Sequence, residues 1–297
     1  VHARCGLAGP AAEARPRAEP QDADGLAEAI AASQPAVLRA AALRGLWAKG
    51  QALEAEELLP LLQQHCGHRE VRVRLPQLPA GAEQQPGLTF GDARARAPYA
   101  RAEPRLLGRV LEELAAGGPP AGCYVANVPI GPQLPELAEL LRPLRDGLAA
   151  RFGRLLGPEI PGTPALYLGA GCQRTPLHFD PTENLTAVLR GSKRFRLFPP
   201  AAYPHLRPRG GALAAAVCWL HGIVPAVYSD VDAWALPAGA AAGPIDLQVR
   251  AGEALYLPPG WWHAVAGSQE PNVTIVFGYA PCESKGARYF KRWLPFR

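Results

Sequence analysis

From residue 164 onward the chain is cut by Gly and Pro turns into short stretches of strand character. They run over 164–169, 175–180, 184–190, 193–198, 245–249, 253–257, 261–266 and 272–279. Many short strands broken by tight turns bury their apolar faces by pairing antiparallel, in a sandwich or a closed barrel. Residues 199–244 interrupt the series as a long insertion rich in Pro and Ala. Gly and Pro number 31 and 33 of 297 residues, well above the usual share. The 48% of apolar residues is nevertheless enough for a real core.

The N-terminal half reads differently. Residues 1–21, rich in Ala, Pro, Arg and Glu without periodicity, are expected to be a disordered lead-in. A helix is expected over 23–33, then a short strand over Pro35–Arg39. Leu53, Leu58, Leu59, Leu61 and Leu62 fall at helical spacing, predicting a helix over 52–66 with Gly67 as its cap. Glu70–Leu75 alternates strictly and predicts a half-buried strand. A loop over 76–102, a helix over Pro104–Ala116, a strand over Cys123–Val128 and a Leu-rich helical stretch over 134–156 complete this part. The expected organisation is the lead-in, an N-terminal α/β extension over 22–160 packed on the core, a mainly β core over 161–282 and a basic tail over 283–297.

Several classes are excluded or disfavoured. No stretch approaches the ~20 apolar residues of a membrane helix, so no membrane role is expected. A net charge of +5, with scattered Arg, neither demands nor excludes nucleic acid. Six dispersed Cys without a C-x-x-C pair read as reduced thiols. That suits a cytoplasmic or nuclear setting, with organelle import left open by the Arg-containing start. The absence of Met, even at position 1, suggests a fragment or processed product. Sequons at Asn184 and Asn272 fall inside expected core strands, where a glycan does not fit. Ala, Arg, Gly and Pro are inflated, whereas only four Lys and three Asn occur, so each surviving Lys or Asn carries more information.

The chemistry concentrates in Thr175-Pro-Leu-His-Phe-Asp180, where His178 and Asp180, two apart on a strand, share one face. A further His stands at Trp261-Trp-His263, after the Pro258-Pro-Gly260 turn. Two imidazoles and one carboxylate on a barrel's inner face make a facial triad that suits Fe(II) and leaves adjacent coordination positions open. Alone, H-x-D is weak, and a lone His is commonly a hydrogen-bonded core residue. Lys193 follows the Gly191-Ser192 turn and shares a strand face with Phe195 and Leu197, so it must snorkel or meet an anion. His65-Cys-Gly-His68 has ligand residue types but no second half, and reads as a helix-end loop.

Taken together, His178-x-Asp180, Asn184, Gly191-x-Lys193, Leu197-Phe-Pro-Pro200 and Gly252-Glu-Ala-Leu-Tyr-Leu-Pro-Pro-Gly-Trp-Trp-His263 resemble the JmjC-domain, cupin-like oxygenases, in particular their small hydroxylases. The resemblance runs from about Pro35 to Tyr279. It implies a double-stranded β-helix (jelly-roll) core and an enzyme using Fe(II), 2-oxoglutarate and O2, with succinate and carbon dioxide as co-products. It implies that His178, Asp180 and His263 ligate the metal, and that Lys193, Thr175 and Tyr124 hold the distal carboxylate of 2-oxoglutarate. Asn184 matches an Asn of the co-substrate pocket, and Trp261 and Trp262 match the wall beside the distal His or plain core. The implied substrate is a protein side chain. Methyl-lysine demethylation, a tRNA base and a non-enzymatic binding module are the alternatives.

The sequence departs from the family in its last strand, Thr274-Ile-Val-Phe-Gly-Tyr279, where Val276, Phe277 or Gly278 replaces a pocket Asn. The short C-terminal stretch after Tyr279 is not expected to supply the long helical pair through which several relatives dimerise, which leaves the oligomeric state open. The loop 76–102 and the insertion, with Trp219, Tyr228 and Trp234, are the candidates for covering the barrel mouth. Otherwise these aromatics pin a long loop to the barrel.

Overall fold

The strand-and-turn rhythm becomes two facing sheets in the computed structural model, which describes residues 20–47, 52–76, 100–116, 124–170, 173–207, 227–236 and 244–281. In chain order the elements are β1 (Pro20–Gln21), α1 (Ala23–Ala32), β2 (Ala36–Leu38), α2 (Ala40–Arg44), α3 (Leu58–Cys66), β3 (Glu70–Pro76) and β4 (Ala100–Leu106). Then come α4 (Leu107–Ala115), β5 (Tyr124–Pro129), α5 (Ile130–Gln133), α6 (Pro135–Phe152), β6 (Ala165–Gly169), β7 (Arg174–Phe179), β8 (Glu183–Arg190) and β9 (Ser192–Phe198). A 3-10 turn (Pro200–His205), β10 (Val227–Tyr228), β11 (Ile245–Arg250), β12 (Ala254–Leu257), β13 (Trp262–Gly267) and β14 (Asn272–Tyr279) follow.

The larger sheet has the order β1-β2-β12-β8-β14-β6-β5-β3-β4 and the smaller β10-β7-β13-β9-β11. This is the jelly roll expected from the sequence. Side-chain alternation sorts three layers. On β8, Leu185, Ala187 and Leu189 turn outward to the helices, while Val188 turns inward. The helices lay Leu26, Ile30, Leu62, Leu111, Leu144 and Leu148 on the outer face of the larger sheet. Phe195, Leu197, Val249, Leu255, Leu257 and Trp261 fill the space between the sheets. Leu177, Phe179, Phe198 and Trp262 face outward from the smaller sheet.

That last face is covered by the described parts of the insertion, through Ala202, Leu206, Ala233 and Trp234. Trp234 lies under the guanidinium groups of Arg174, Arg194 and Arg196 at 5.4–5.9 Å. It therefore pins the loop to the barrel wall and does not cover the mouth. Tyr228 behaves differently: β10 pairs with β7 at the sheet edge and sets it opposite His178.

Other elements depart from the sequence reading. Residues 100–106, expected as loop and helix start, form β4, and the helix begins at Leu107. Pro104 fits there because β4 is the sheet's outermost strand, where a missing N–H costs no ladder bond. The helix expected from residue 52 starts only at Leu58. Gly67 does cap it, but in the right-handed region; glycine is needed because a Cβ would lie 2.4 Å from the Gln63 carbonyl oxygen. The expectations for 1–19, 77–99, 208–226 (with Trp219) and 283–297 fall outside the described residues.

Candidate active site

His178 stands near the end of β7, Asp180 just beyond it and His263 on β13, directly opposite His178 in register. Their ligand atoms all lie within 4.8 Å of one another, the one such group of His, Cys, Asp and Glu among the described residues. The hydrogen bonds decide what these rings can offer. His178 Nδ1–H donates to the Pro176 carbonyl at 2.8 Å, and His263 Nδ1–H to the Trp261 carbonyl at 3.0 Å. A carbonyl only accepts, so each neutral ring keeps its lone pair on Nε2. His263 Nε2 lies 3.8 Å from Asp180 Oδ2. Burial, and then the neighbouring His178, pull the His263 imidazole down to about 4, against the pull of Asp180. The ring is a neutral donor at physiological pH.

The carboxylate is held by a relay. Thr182 Oγ1 donates to Asn184 Oδ1 at 3.1 Å, and Asn184 Nδ2 donates to Asp180 Oδ2 at 2.8 Å. Asn184 thus orients the Asp180 carboxylate, a use the sequence reading did not assign to it. Tyr228 stacks on the His178 ring at 5.2 Å. Two imidazole nitrogens and one oriented carboxylate are a donor set that fits Fe(II).

Thr175 lies three residues before His178, and on a regular strand the two would face opposite ways. Between them β7 carries a bulge: His263 pairs with His178 and Val265 with Thr175, so three steps on β7 oppose two on β13. Val265 packs among the inward-facing residues, and the bulge brings its partner Thr175 to the same side.

Lys193 is 4% exposed. Its Nζ lies 5.4 Å from the Tyr124 ring centroid and 5.7 Å from that of Tyr167. No carboxylate among the described residues stands within ion-pair distance of it. The alternative of an exposed turn lysine is thereby excluded, and a buried ammonium beside two phenols suits an anionic ligand. Tyr167, missed in the sequence, sits between Leu166 and Leu168, which pack toward the helices; alternation alone turns it inward. Burial first, then Tyr124, Asp180 and Tyr228, push its phenol well above the usual range, so it stays protonated.

The remaining candidates separate cleanly. Trp262 is wholly buried in the outer layer and Trp261 packs in the interior, so both are core residues. On β14, Phe277 points to the helix-side core, whereas Val276 and Gly278 alternate inward where the family Asn was expected. Cys66 is buried in the helix layer, and His68 lies 3.7 Å from Glu136, which confirms the helix-end reading of that cluster.

The sequence profile of the cupin-like domain family matches residues 22–283. An arginine-specific demethylase of Arabidopsis thaliana is 33% identical over 134 residues, 43% of this chain and 25% of the relative. The Jumonji C domain-containing protein 5 of Drosophila melanogaster is 28% identical over 52% of this chain and 36% of its own length. A bifunctional arginine demethylase and lysyl-hydroxylase of Caenorhabditis elegans is 28% identical, covering 39% of this chain and 29% of the relative. The chain thus spans about a quarter to a third of the length of these relatives.

Proposed function

The chain belongs to the cupin-like domain family, and on that footing we propose that it is an Fe(II)- and 2-oxoglutarate-dependent oxygenase that hydroxylates a protein side chain. The observation that carries the reading is the coexistence, in one barrel interior, of a convergent His178–Asp180–His263 donor set and the buried, anion-seeking Lys193. Either feature alone has a structural explanation; the pair does not.

Fe(II) supplies the one-electron and dioxygen chemistry that no side chain provides. The chain's residues do the rest. His178 and His263 present Nε2, with their rings fixed by the Pro176 and Trp261 carbonyls. Asn184 keeps Asp180 turned toward them. Lys193 holds the distal carboxylate of 2-oxoglutarate, with Tyr124 and Thr175 as hydroxyl donors to the same group. Apolar side chains such as Leu197, Leu257 and Trp261 close the interior against water.

A protein substrate is supported by relatives named as an arginine demethylase and a lysyl-hydroxylase. No helix among the described residues is long and apolar enough to cross a membrane. The test is substrate trapping from a proteome followed by mass spectrometry of captured proteins incubated with enzyme, Fe(II) and 2-oxoglutarate. A gain of one oxygen on a side chain is expected. Loss of a methyl group instead would indicate demethylation, and a modified nucleoside with unmodified protein would overturn the protein substrate.

A further inference from the structure

The interior beside Lys193 contains three buried polar atoms without a hydrogen-bond partner among the described residues: Gln173 Oε1, Asn272 Nδ2 and Thr274 Oγ1. Their placement is connected. Val273 and Ile275 pack toward the helices, so Asn272 and Thr274 alternate inward from β14. In register, Asn272 lies opposite Gly169 and Thr274 opposite Tyr167. Gln173 fills the space that two glycines leave. A Cβ on Gly267 would stand 2.3 Å from Gln173 Nε2, and one on Gly169 would stand 2.9 Å from it and 3.0 Å from Tyr124 Cδ2. Gly267 is itself the register partner of Lys193.

The Gln173 amide therefore lies across the barrel beside the root of Lys193, tied to Asn272 by an Nε2–H to Oδ1 bond of 2.9 Å. Either orientation of the two amides leaves one NH2 and one carbonyl over. Buried polar groups are seldom left this way, because each one forfeits its hydrogen bonds to water without replacing them. Packing alone would favour an apolar plug. What remains around Lys193 is an ammonium, a hydroxyl and an amide N–H, a donor set that matches a carboxylate.

We infer that Thr274 and the Gln173–Asn272 pair form the end wall of the co-substrate pocket. Thr274 Oγ1–H and the spare amide N–H donate to the carboxylate that Lys193 holds, and the amide pair sets how long a diacid fits. The inference rests on the 2-oxoglutarate reading above and assigns it residues beyond Lys193, Thr175 and Tyr124. It makes these side chains determinants of co-substrate selectivity: a five-carbon diacid fits, and a six-carbon one meets the amides.

Calorimetric binding of 2-oxoglutarate and of six-carbon 2-oxoadipate, in the presence of Mn(II), tests this without turnover. Wild type is expected to prefer 2-oxoglutarate by tenfold or more, the scale of one methylene in a shaped pocket. Thr274→Val, almost the same shape without the hydroxyl, should weaken 2-oxoglutarate binding about tenfold at unchanged Mn(II) affinity, with a ligand-free melting temperature no lower than that of wild type. Gln173→Ala should narrow the preference for the shorter diacid. Because Gln173→Ala risks the fold, Thr274→Val carries the test by itself. Wild-type binding by Thr274→Val, with Lys193→Ala weakened, would overturn the end wall and leave the 2-oxoglutarate reading standing. Unchanged binding by Lys193→Ala as well would overturn both.

Discussion

Replacing Lys193 by Met separates function from stability at a single atom. The substitution keeps an unbranched stem of similar length and removes the ammonium, which is 4% exposed and has no carboxylate partner among the described residues. An ion in that position carries a desolvation cost of several kcal/mol. The Tyr124 and Tyr167 rings, at 5.4 and 5.7 Å, offset part of it, by about 0.5–2 kcal/mol each. The balance predicts that Lys193→Met stabilises the ligand-free protein by about 1–3 kcal/mol. At about 2–4 °C per kcal/mol for a domain of this size, the melting temperature should rise by about 2–12 °C. The same change removes a charge-assisted contact of about 1.5–3 kcal/mol, so 2-oxoglutarate affinity should fall tenfold to a hundredfold. Ligand at a hundred times its Kd stabilises wild type by about 2.7 kcal/mol, so the order of the two melting curves should approach reversal or cross when 2-oxoglutarate is added. Differential scanning fluorimetry with and without the diacid reads both effects. A variant that melts no higher than wild type, and responds equally to 2-oxoglutarate, would refute the reasoning.

Asn184→Ala should release Asp180 and weaken metal binding about tenfold to a hundredfold while the fold persists, as read by Mn(II) titration. Gly147→Ala should destabilise the protein by about 1–3 kcal/mol in urea unfolding, despite the better helix propensity of Ala, because the added Cβ would lie 1.8 Å from the Leu46 carbonyl oxygen. Burial, and then Glu136, push the Cys66 thiol upward, and burial pushes the Tyr167 and Tyr279 phenols upward. The folded state therefore keeps protons that the unfolded chain releases above about pH 9–10, and stability should fall as pH rises through that range. Cys66 should accordingly resist iodoacetamide at pH 8 until the protein is unfolded.

The strands of the core were legible because turns bound them and alternation marks their faces; β14 matches its expected range, 272–279. The meeting of His178 and Asp180 was legible because residues two apart at a strand end turn to one face, where His263 joins them. Of the three Asn, rare in this composition, Asn184 bonds Asp180 and Asn272 bonds Gln173 in the interior, whereas Asn127 is exposed on β5. What composition could not reveal was pairing. Pro104 argued against a strand, yet the sheet edge accommodates it. Tyr167 was hidden because its inward direction depends on which face of β6 the helices cover. The β7 bulge, which joins Thr175 to His178, exists only in the register with β13. The insertion's aromatics looked alike in sequence, but Trp234 packs on the outer wall and Tyr228 on the His178 ring.

The central claim is that the His178–Asp180–His263 centre and the Lys193 pocket act together on 2-oxoglutarate. Its most direct test is succinate release by the purified chain with Fe(II), 2-oxoglutarate and O2, without any prime substrate, beside Asp180→Ala. Slow release by wild type that depends on Fe(II), and its loss together with iron binding in a folded Asp180→Ala variant, is the predicted result. Normal iron affinity in Asp180→Ala, or succinate release that survives it, would contradict the assignment.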